Sequence, residues 1–587
     1  MCGIAGFYLA QNTTMNPSLL KSVLQKEQSR GPDAQGFYFS HPAGFGHQRL
    51  KIFDLTDASA QPMVNNELGL ALVYNGEIYN FLELKKELMQ LGYSFTSEGD
   101  SEVLLKAYHA FGENVVNKLE GMFAFAIWEQ HSRKLFLARD RLGIKPLYYS
   151  QNEKGFKFAS TLPALLEFKE IDTSINRIAL HYYLTFHIIP EPLTLLNGIE
   201  KLAPGSTLSV YPDGKIEKKV YWKFTLNESQ TRKDLTINEW VGKSYQALYK
   251  ATDRQLAADV PVGLLLSGGL DSSLLLAFIK KIKDNIETFS IGFESDGHKI
   301  GNEFYYSDLM ASYFKTKHHK LMISNKKLMD SLASCVSSMS EPMMSHDNIG
   351  FYLLSKEVSN YVKVVLSGQG ADELFAGYHW FQPPETAVYN NIDYILSKVA
   401  DSSYENYKNL VTADYLSENH SYELIANLCQ DNGSSNVIEN LMVFESTYGL
   451  SSGPLSRVDN MTMSSSLEAR VPFLDELVVS LARSMPLQYK LKDDGKYVLK
   501  LLGQKMLPKE VINRSKGYFP VPALSNLNGE LLHLMRDVLS EESIKKHGIF
   551  NPSAIKELFN ANQATPTGGS RLWQVGILEY WLQLQGL

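Results

Sequence analysis

The stretch Val262–Ser273, VGLLLSGGLDSS, decides the fold of the C-terminal half of this chain. An apolar strand pattern ends in Ser267, Gly268 and Gly269, and the helical pattern LLLAFIKKIK follows it. Glycines let the backbone approach a ligand closely, and the N-terminus of a helix favours an anion. The stretch therefore predicts a strand, a loop and a helix arranged around a phosphate-bearing ligand.

The residues after the last glycine exclude the phosphate loop of common NTPases, which requires Lys followed by Ser or Thr. Here Leu270 and Asp271 follow, and Ser272 and Ser273 add two hydroxyls. An acidic residue beside a phosphate makes sense when a divalent cation lies between them. We therefore expect a cation at Asp271; a plain glycine-rich turn is the structural alternative.

A second strand–turn–helix pattern, VVLSGQGADELFAGY, runs over Val364–Tyr378. Ser367 and Gly368 end its strand, and Asp372 lies at the start of the next helix. Alone, such an acid interacts with the helix dipole. Because parallel sheets bind ligands at the carboxyl ends of their strands, Asp271 and Asp372 together predict one shared Mg²⁺.

Length and composition describe an ordinary globular protein of more than one domain. The 587 residues are 44% hydrophobic and 21% charged, with a net charge of −7, which disfavours nucleic acid as a partner. The three cysteines are too few for a disulfide scaffold. The N-terminus lacks the features of a signal peptide, and no apolar run is long enough to span a membrane. We expect a cytoplasmic protein without a membrane partner.

The pattern of secondary structure changes near residues 204–236. Before it, short β-rich runs alternate with turns, and helices are expected near Asn16–Ser29 and Asn80–Leu91. After it, apolar strands alternate with helices, which is typical of a parallel sheet covered on both faces. We predict an N-terminal domain over residues 1–215, a linker over 216–236 and a C-terminal domain over 237–587.

Cys2 directly follows the initiator methionine. Removal of Met1 would place a thiol and a free α-amino group on one residue. An α-amine titrates near pH ~8 and can take the thiol proton. A thiolate that attacks a carboxamide forms a thioester and releases ammonia. An inert, buried cysteine is the alternative.

Four motifs, MCGIAG, RGPD (30–33), NGEIYN (75–80) and RDRLGIKPLYY (139–149), together resemble class II glutamine amidotransferases of the N-terminal nucleophile type. The resemblance implies that Cys2 is the nucleophile and that Asn75 and the Gly76 amide form the oxyanion hole. Glutamine would be held at its α-carboxylate by Arg49 and at its ammonium by Glu77 and Asp100. Arg49 and Asp100 could otherwise be ordinary surface charges.

The serine-rich loop together with SGxGxDE resembles the ATP pyrophosphatase domain of glutamine-dependent asparagine synthetases. That family cleaves ATP between its α and β phosphates, transfers AMP to a carboxylate and displaces the adenylate with ammonia. The resemblance implies ATP as co-substrate and Mg²⁺ on Asp271 and Asp372. It implies ATP contacts from Leu265, Ser267, Gly268, Gly269, Asp271, Ser272, Ser273, Ile291, Ser367, Gly368 and Lys496.

The family motifs span roughly residues 2–525 and include EARVPFLD (468–475) and GKYVLKLL (495–502). They imply an α/β fold with an N-terminal αββα glutaminase sandwich. A Rossmann-like parallel-sheet ATP pyrophosphatase domain with a helical C-terminal part would follow it. A class II glutaminase can also be fused to a sugar-phosphate isomerase or to a phosphoribosyltransferase. The motif SGGLDSS argues against both of these fusions. A catalytically inactive metabolite sensor is the alternative from outside the enzymes.

One position departs from asparagine synthetases. They usually carry an acidic residue after SG in the second loop, and here it is Gln369. This departure and the stretch SEPMMSHDNIGFYLLS (340–355) resemble the N-acetylglutaminylglutamine amidotransferase branch, which amidates an acetylated glutamine dipeptide to make a compatible solute. The expected partners are glutamine, ATP and a small carboxylate acceptor, either that dipeptide or aspartate. A homodimer is left open.

Overall fold

The N-terminal part of the chain forms two six-stranded antiparallel sheets. The computed structural model describes residues 2–587 except 12, 15, 227–234, 295–303, 383–390, 515–520, 522, 523, 525, 526 and 562–569. The strands of these sheets are β1 Gly3–Leu9, β2 Ala34–Ser40, β3 Ala43–Arg49, β4 Met63–Asn65, β5 Leu70–Ile78, β6 Gly121–Glu129, β7 Lys134–Arg139, β8 Tyr148–Asn152, β9 Gly155–Ala159, β10 Glu200–Lys201, β11 Ser206–Val210 and β12 Ile216–Val220. Their orders are β10-β8-β9-β1-β3-β2 and β12-β11-β7-β6-β5-β4.

The two sheets pack face to face, and helices cover their outer faces. Ile4, Phe45 and Trp128 belong to the apolar layer between the sheets. The outer face of the second sheet packs on the helices Phe81–Gln90 and Asp100–Phe111. Strands covered on both sides are buried along their whole length, as β1 is. The predicted αββα sandwich is confirmed.

The helices predicted in this half are present with nearly the predicted ends. The first runs over Pro17–Lys26, because the Asn16 side chain accepts from the Ser18 amide and caps it. The helices here are Pro17–Lys26, Phe81–Gln90, Asp100–Phe111, Leu162–Leu166 and Arg177–Phe186, with 3₁₀ turns at Gln28–Arg30, Asp57–Ser59 and Gly112–Asn117.

The assigned linker differs from the structure at its start. Residues 216–220 form strand β12, which pairs with β11 and belongs to the second sheet. This strand is mostly exposed and rich in charge, so its sequence lacks the apolar alternation of a buried strand. Residues 227–234 of the predicted linker lie outside the described residues. The helix Ile237–Leu256 then begins with a capping box between Thr236 and Glu239.

The C-terminal part is built on a five-stranded parallel sheet, as predicted. Its strands are β13 Val262–Leu265, β14 Glu287–Phe293, β15 Lys317–Ile323, β16 Val364–Leu366 and β17 Glu468–Arg470, in the order β15-β14-β13-β16-β17. Strands β13 and β16 are neighbours, so the two loops singled out in the sequence leave the same edge of the sheet side by side.

Helices surround this sheet and form the C-terminal part. They are Ile237–Leu256, Leu270–Ile282, Phe304–Phe314, Asn325–Ser337, Asp347–Val358, Ala371–Leu374, Asn391–Val399, Tyr404–Leu410, His420–Asn432, Val437–Phe444, Ser456–Met463, Glu476–Arg483, Gln488–Leu491, Tyr497–Gly503, Lys509–Ile512, Gly529–Val538, Glu541–His547, Pro552–Ala561 and Arg571–Gln585. Short 3₁₀ turns lie at His379–Phe381, Ala413–Tyr415 and Pro472–Leu474, and π-helical turns at Glu445–Gly449 and Ser451–Leu455. In the described part of the chain, no helix is long and apolar enough to cross a membrane.

A buried arginine joins the two parts. Arg470, at the end of β17, is fully buried, and its Nε donates to Glu468 Oε1 at 2.6 Å. Its Nη2 lies 3.5 Å from Glu77 Oε1 of β5, in the N-terminal sandwich. Its Nη1 donates to the carbonyls of Gln255 and Ala257. The positive charge of Arg470 in the C-terminal part is thus compensated partly by Glu77 of the N-terminal sandwich.

We predict that Arg470→Met destabilises the protein strongly. Removing the guanidinium leaves two buried carboxylates, those of Glu468 and Glu77, without their shared cation. Loss of one partner from a buried ion pair costs ~3–5 kcal/mol of unfolding free energy. Urea denaturation measures this. The exposed Arg536→Met is the control and should cost less than ~0.5 kcal/mol. Equal losses in both variants would contradict the prediction.

Candidate active sites

Cys2 lies immediately before β1 in a buried position, with 8% of its surface exposed. Its backbone amide donates to Asn75 Oδ1 at 3.0 Å, and its carbonyl accepts from Arg30 Nε at 3.2 Å. Burial raises the pKa of the Cys2 thiol, although the Leu50 amide and Arg49 act in the opposite direction. The thiol therefore needs a base before it can act as a nucleophile.

Asn75 and Gly76 lie on β5 beside Cys2. Asn75 is fully buried, and its Nδ2 has no acceptor among the described residues. Such a donor costs free energy unless a ligand accepts from it. A Cβ at Gly76 would lie 2.1 Å from the Met122 carbonyl oxygen, so a side chain does not fit there. These features support the oxyanion hole, which stays a prediction.

The Arg49 guanidinium donates hydrogen bonds to backbone carbonyls of the loop at residues 53–56. Its Nη1 donates to the Thr56 carbonyl at 2.8 Å, and its Nη2 donates to the carbonyls of Asp54 at 2.6 Å and Phe53 at 3.4 Å. Arg49 is buried, and its positive charge acts to lower the pKa of the Cys2 thiol. Binding of a glutamine α-carboxylate by Arg49 stays a prediction, and the loop contacts would orient the guanidinium for it.

Glu77 and Asp100 are buried carboxylates close to the same strand. Asp100 Oδ2 accepts from the Tyr74 hydroxyl at 2.7 Å, while Glu77 faces Arg470. Burial raises the pKa of both groups, and repulsion by Glu468 raises that of Glu77 further. A cation brought among them would lower these pKa values and gain from the carboxylates. The predicted role in binding the ammonium group of glutamine fits this chemistry.

Arg30, for which the sequence analysis predicts no role, connects Cys2 to the C-terminal part of the chain. Its Nη1 and Nη2 donate to both carboxylate oxygens of Asp459, at 2.8 and 3.2 Å. Beside it, burial raises the pKa of Glu27 to about 7. Arg30 lies within the quoted RGPD motif, but its partner is 429 residues away in the chain. Only the folded chain shows that contact.

A cavity of about 1130 Å³ opens at the carboxyl edge of the parallel sheet. Most residues predicted for the ATP site line it, namely Leu265, Ser267, Gly269, Asp271, Ser272, Ile291, Ser367, Gly368 and Lys496. The predicted metal ligand Asp372 and the predicted acceptor-site residue Gln369 line it as well. Gly268 and Ser273 are not among its lining residues. Gly268 has φ +73° and packs on Ser307, and the Ser273 side chain is buried away from solvent.

Lys496 brings the two predicted metal ligands together. Its Nζ lies 2.6 Å from Asp271 Oδ2 and 2.8 Å from Asp372 Oδ1. Burial disfavours its charge, but the two carboxylates raise the pKa of Lys496 above its usual range. Its backbone has φ +53°, and its amide donates to the Phe375 carbonyl. This left-handed conformation costs free energy, which the surrounding contacts must offset.

The donor set fits Mg²⁺ if phosphate is present. Asp271 and Asp372 already converge on one cation, the ammonium of Lys496. The described residues hold no group of three or more His, Cys, Asp or Glu arranged for a metal. Mg²⁺ is often bound by one or two carboxylates, with phosphate oxygens and water completing its octahedron. Asp271 and Asp372 would supply these carboxylate ligands.

Gln369 lies in the cavity wall on a tightly packed loop. A Cβ at Gly368 would lie 3.0 Å from Asp271 Cβ, and one at Gly370 would lie 2.2 Å from Leu474 Cδ2. Gly370 also has φ +89°, which favours glycine. The glycines on both sides therefore fix the backbone that carries Gln369 against the Asp271 loop.

Comparison with known proteins assigns the two parts of the chain to two families. Residues 243–583 match the family described as Asparagine synthase, and residues 1–222 match the Glutamine amidotransferase domain. The chain belongs to the asparagine synthase family. As a member, it is a glutamine-dependent carbon–nitrogen ligase, and ATP as its co-substrate is consistent with the family.

The asparagine synthase relatives cover nearly the whole chain. "Asparagine synthetase [glutamine-hydrolyzing] 1" of Bacillus subtilis is 32% identical, covering 99% of this chain and 96% of the relative. "Asparagine synthetase [glutamine-hydrolyzing] 3" of the same organism is 30% identical, covering 95% and 93%. A solved glutamine phosphoribosylpyrophosphate amidotransferase from B. subtilis is 19% identical, with a TM-score of 0.28, covering 48% of this chain and 64% of that one.

We predict that Cys2→Ala abolishes glutamine hydrolysis, because the variant lacks the sulfur that would attack the carboxamide. Amide synthesis from added ammonium salts should persist, since the ATP cavity is untouched. Glutamate release and amide formation are measured separately, with Cys429→Ala as the control for loss of a thiol. Glutamine hydrolysis at the wild-type rate by Cys2→Ala would remove Cys2 from the mechanism.

We predict that Asp271→Asn and Asp372→Asn each slow amide formation by at least ~10²-fold while glutamine hydrolysis remains measurable. Loss of one carboxylate weakens the hold on a metal that neutralises phosphate charge, an effect worth several kcal/mol. ATP/pyrophosphate exchange reports the defect. Asp537→Asn, at an exposed position of the helix Gly529–Val538, should exchange normally. Normal exchange in both site variants would mean that these loops do not bind the metal.

Proposed function

We propose that this ligase hydrolyses glutamine at Cys2 and uses the ammonia to amidate a carboxylate that it adenylates in the cavity at Asp271 and Asp372. The observation that carries the proposal is the convergence of both aspartates on Lys496 inside a large cavity at the sheet edge. The assignment of residues 1–215 to the glutaminase and 237–587 to the synthetase belongs to the proposal, as does a homodimer.

In the N-terminal site, the Cys2 thiol gives up its proton and its sulfur attacks the glutamine carboxamide. The α-amino group exposed by loss of Met1 is the proposed base. The buried Asn75 Nδ2 and the Gly76 amide donate to the oxygen on which negative charge develops. The thioester forms as the carbon–nitrogen bond breaks, and the leaving nitrogen takes the proton held by the α-amino group and departs as ammonia. Water then releases glutamate and restores the thiol.

In the C-terminal site, an oxygen of the acceptor carboxylate attacks the α phosphorus of ATP, and pyrophosphate leaves. Bound Mg²⁺ would neutralise phosphate charge and would be held by Asp271 and Asp372. Lys496, released from those carboxylates to the extent that a metal takes its place, can donate to the pyrophosphate. Ammonia then attacks the adenylated carbonyl carbon, and AMP leaves with the carboxylate oxygen.

For the acceptor, we propose an acetylated glutamine dipeptide, so that the product is the amide of N-acetylglutaminylglutamine, a compatible solute. Gln369, which lines the cavity, supports this. An amide can donate to and accept from the amides of such an acceptor. A cavity of about 1130 Å³ also exceeds the ~300–1,000 Å³ of a pocket for one drug-sized ligand, so it has room for ATP and a dipeptide.

Aspartate is the second candidate acceptor. Both Bacillus subtilis relatives are named asparagine synthetases, and they cover nearly this whole chain. Aspartate would make the reaction that of an asparagine synthetase, with asparagine, glutamate, AMP and diphosphate as products. The substitution at position 369 distinguishes the two candidates.

We predict that the wild type amidates acetylated glutaminylglutamine with a much higher kcat/KM than aspartate, and that Gln369→Glu lowers the activity on the dipeptide. The new carboxylate would repel an anionic acceptor in a site with little water. Product is measured for both acceptors with both enzymes, and Gln504→Glu, also in the cavity wall, is the matched control. Efficient wild-type amidation of aspartate would leave asparagine synthetase as the function.

A further inference from the structure

An ion pair lies in the wall of the cavity without a part in the reaction described above. Arg457 belongs to the helix Ser456–Met463, and Asp347 is the first residue of the helix Asp347–Val358. Both side chains line the cavity. Arg457 Nη1 lies 3.3 Å from Asp347 Oδ1 and donates to Ser345 Oγ at 3.1 Å. The guanidinium also lies over the ring of Phe351.

In the described part of the chain, the polar contacts of the Arg457 guanidinium all involve Nη1. Arg457 Nη1 is engaged by Asp347 and Ser345, and the Ser345 hydroxyl donates to the same carboxylate oxygen, Asp347 Oδ1. At the other side, Arg457 Nε is buried and has no acceptor among the described residues. A buried N–H without an acceptor is costly, so a bound group that accepts from it would gain affinity.

The opposite charges of Arg457 and Asp347 determine which chemical group of a ligand the pair would bind. Because Arg457 and Asp347 neutralise each other, a ligand with a carboxylate or an ammonium would have to compete with the existing ion pair. A carboxamide meets no such competition: its oxygen accepts from a guanidinium N–H, and its NH₂ donates to a carboxylate. The donor–acceptor character of the pair is complementary to that of a glutamine side chain.

We propose that Arg457 and Asp347 form a subsite that binds a carboxamide side chain of the acceptor. The proposal rests on the proposed function, because it assumes a glutamine-containing acceptor in this cavity. In this proposal, hydrogen bonds from Arg457 and Asp347 determine which acceptor is bound. A site built to hydrogen-bond a substrate group rejects analogues that lack that group, since its polar atoms are then left unpaired.

The test compares three acceptors: acetylated glutaminylglutamine and the two analogues in which one glutamine is replaced by methionine. Methionine keeps the length of the side chain but lacks the amide. For wild type, kcat/KM should fall by at least ~10²-fold with one of the two analogues and less with the other. The analogue with the large fall identifies which glutamine occupies the subsite.

Arg457→Lys then tests the residue. Lysine keeps a positive charge for Asp347, but it lacks the Nε–H and the planar fork of arginine. The variant should lose at least ~10-fold in kcat/KM on the glutamine dipeptide, mainly through KM, and change little on the analogue that already lacks the bound amide. Arg536→Lys is the matched control, because Arg536 also lies over a phenylalanine ring, that of Phe559, on an exposed helix.

The outcomes separate the subsite from the reaction. If wild type amidates all three dipeptides equally, the subsite is wrong and the proposed function stands. If wild type amidates only aspartate, both the proposed acceptor and the proposed subsite are wrong. If Arg457→Lys slows all acceptors alike, its role is structural and the subsite is wrong. Should that variant fail to fold, Asp347→Asn must show the same selective loss, with glutamine hydrolysis and thermal unfolding as measures of integrity.

Discussion

The structure depends on one buried guanidinium, that of Arg470, and on the need to compensate its charge. A buried arginine keeps its charge at acceptable cost only where carboxylates and carbonyls surround it. Glu468 supplies one carboxylate from the same strand, and Glu77 supplies the other from the N-terminal sandwich. Glu77 is also one of the two residues, with Asp100, predicted to bind the ammonium of glutamine. The electrostatics around Glu77 are therefore set partly by Arg470 and Glu468 of the C-terminal part, and separation of the two parts would leave these charges exposed or uncompensated.

The same requirement organises the ATP cavity. Two carboxylates at neighbouring strand ends would repel each other, and Lys496 lies between them in a conformation that most residues avoid. The ammonium holds Asp271 and Asp372 in one place before any ligand arrives. A metal entering with phosphates would take over this charge compensation and leave Lys496 close to the phosphate oxygens.

The features that could be predicted from the sequence are those formed by residues adjacent in the chain. The features that could not be predicted join residues far apart in the chain. The loops after β13 and β16 were predicted well, because strand, glycine turn and helix start are adjacent in the chain. The placement of Cys2 beside Asn75 could be inferred only through the family resemblance. The contacts of Arg30 with Asp459, and of Arg470 with Glu77, join residues hundreds of positions apart and leave no local pattern. Strand β17 has three residues, two of them charged, so it lacks the apolar pattern that marks a strand.

The charges that line the cavity bear on the acceptor. Among the described residues they are Asp271, Asp347, Asp372, Asp493, Asp494, Arg457, Lys496, Lys500 and Arg514, five acids and four bases, so this described part of the wall is close to neutral. ATP adds negative charge, and every acceptor of this reaction brings a carboxylate. An acid at position 369 would increase the repulsion, whereas Gln369 adds none and still offers hydrogen bonds. With Arg457 already paired to Asp347, the wall offers a second carboxylate on the acceptor less attraction than the number of bases suggests. Under the proposed function, the acetylated dipeptide brings one carboxylate and neutral amide side chains, whereas aspartate brings two carboxylates and an ammonium, so the proposed acceptor needs no second base from the wall.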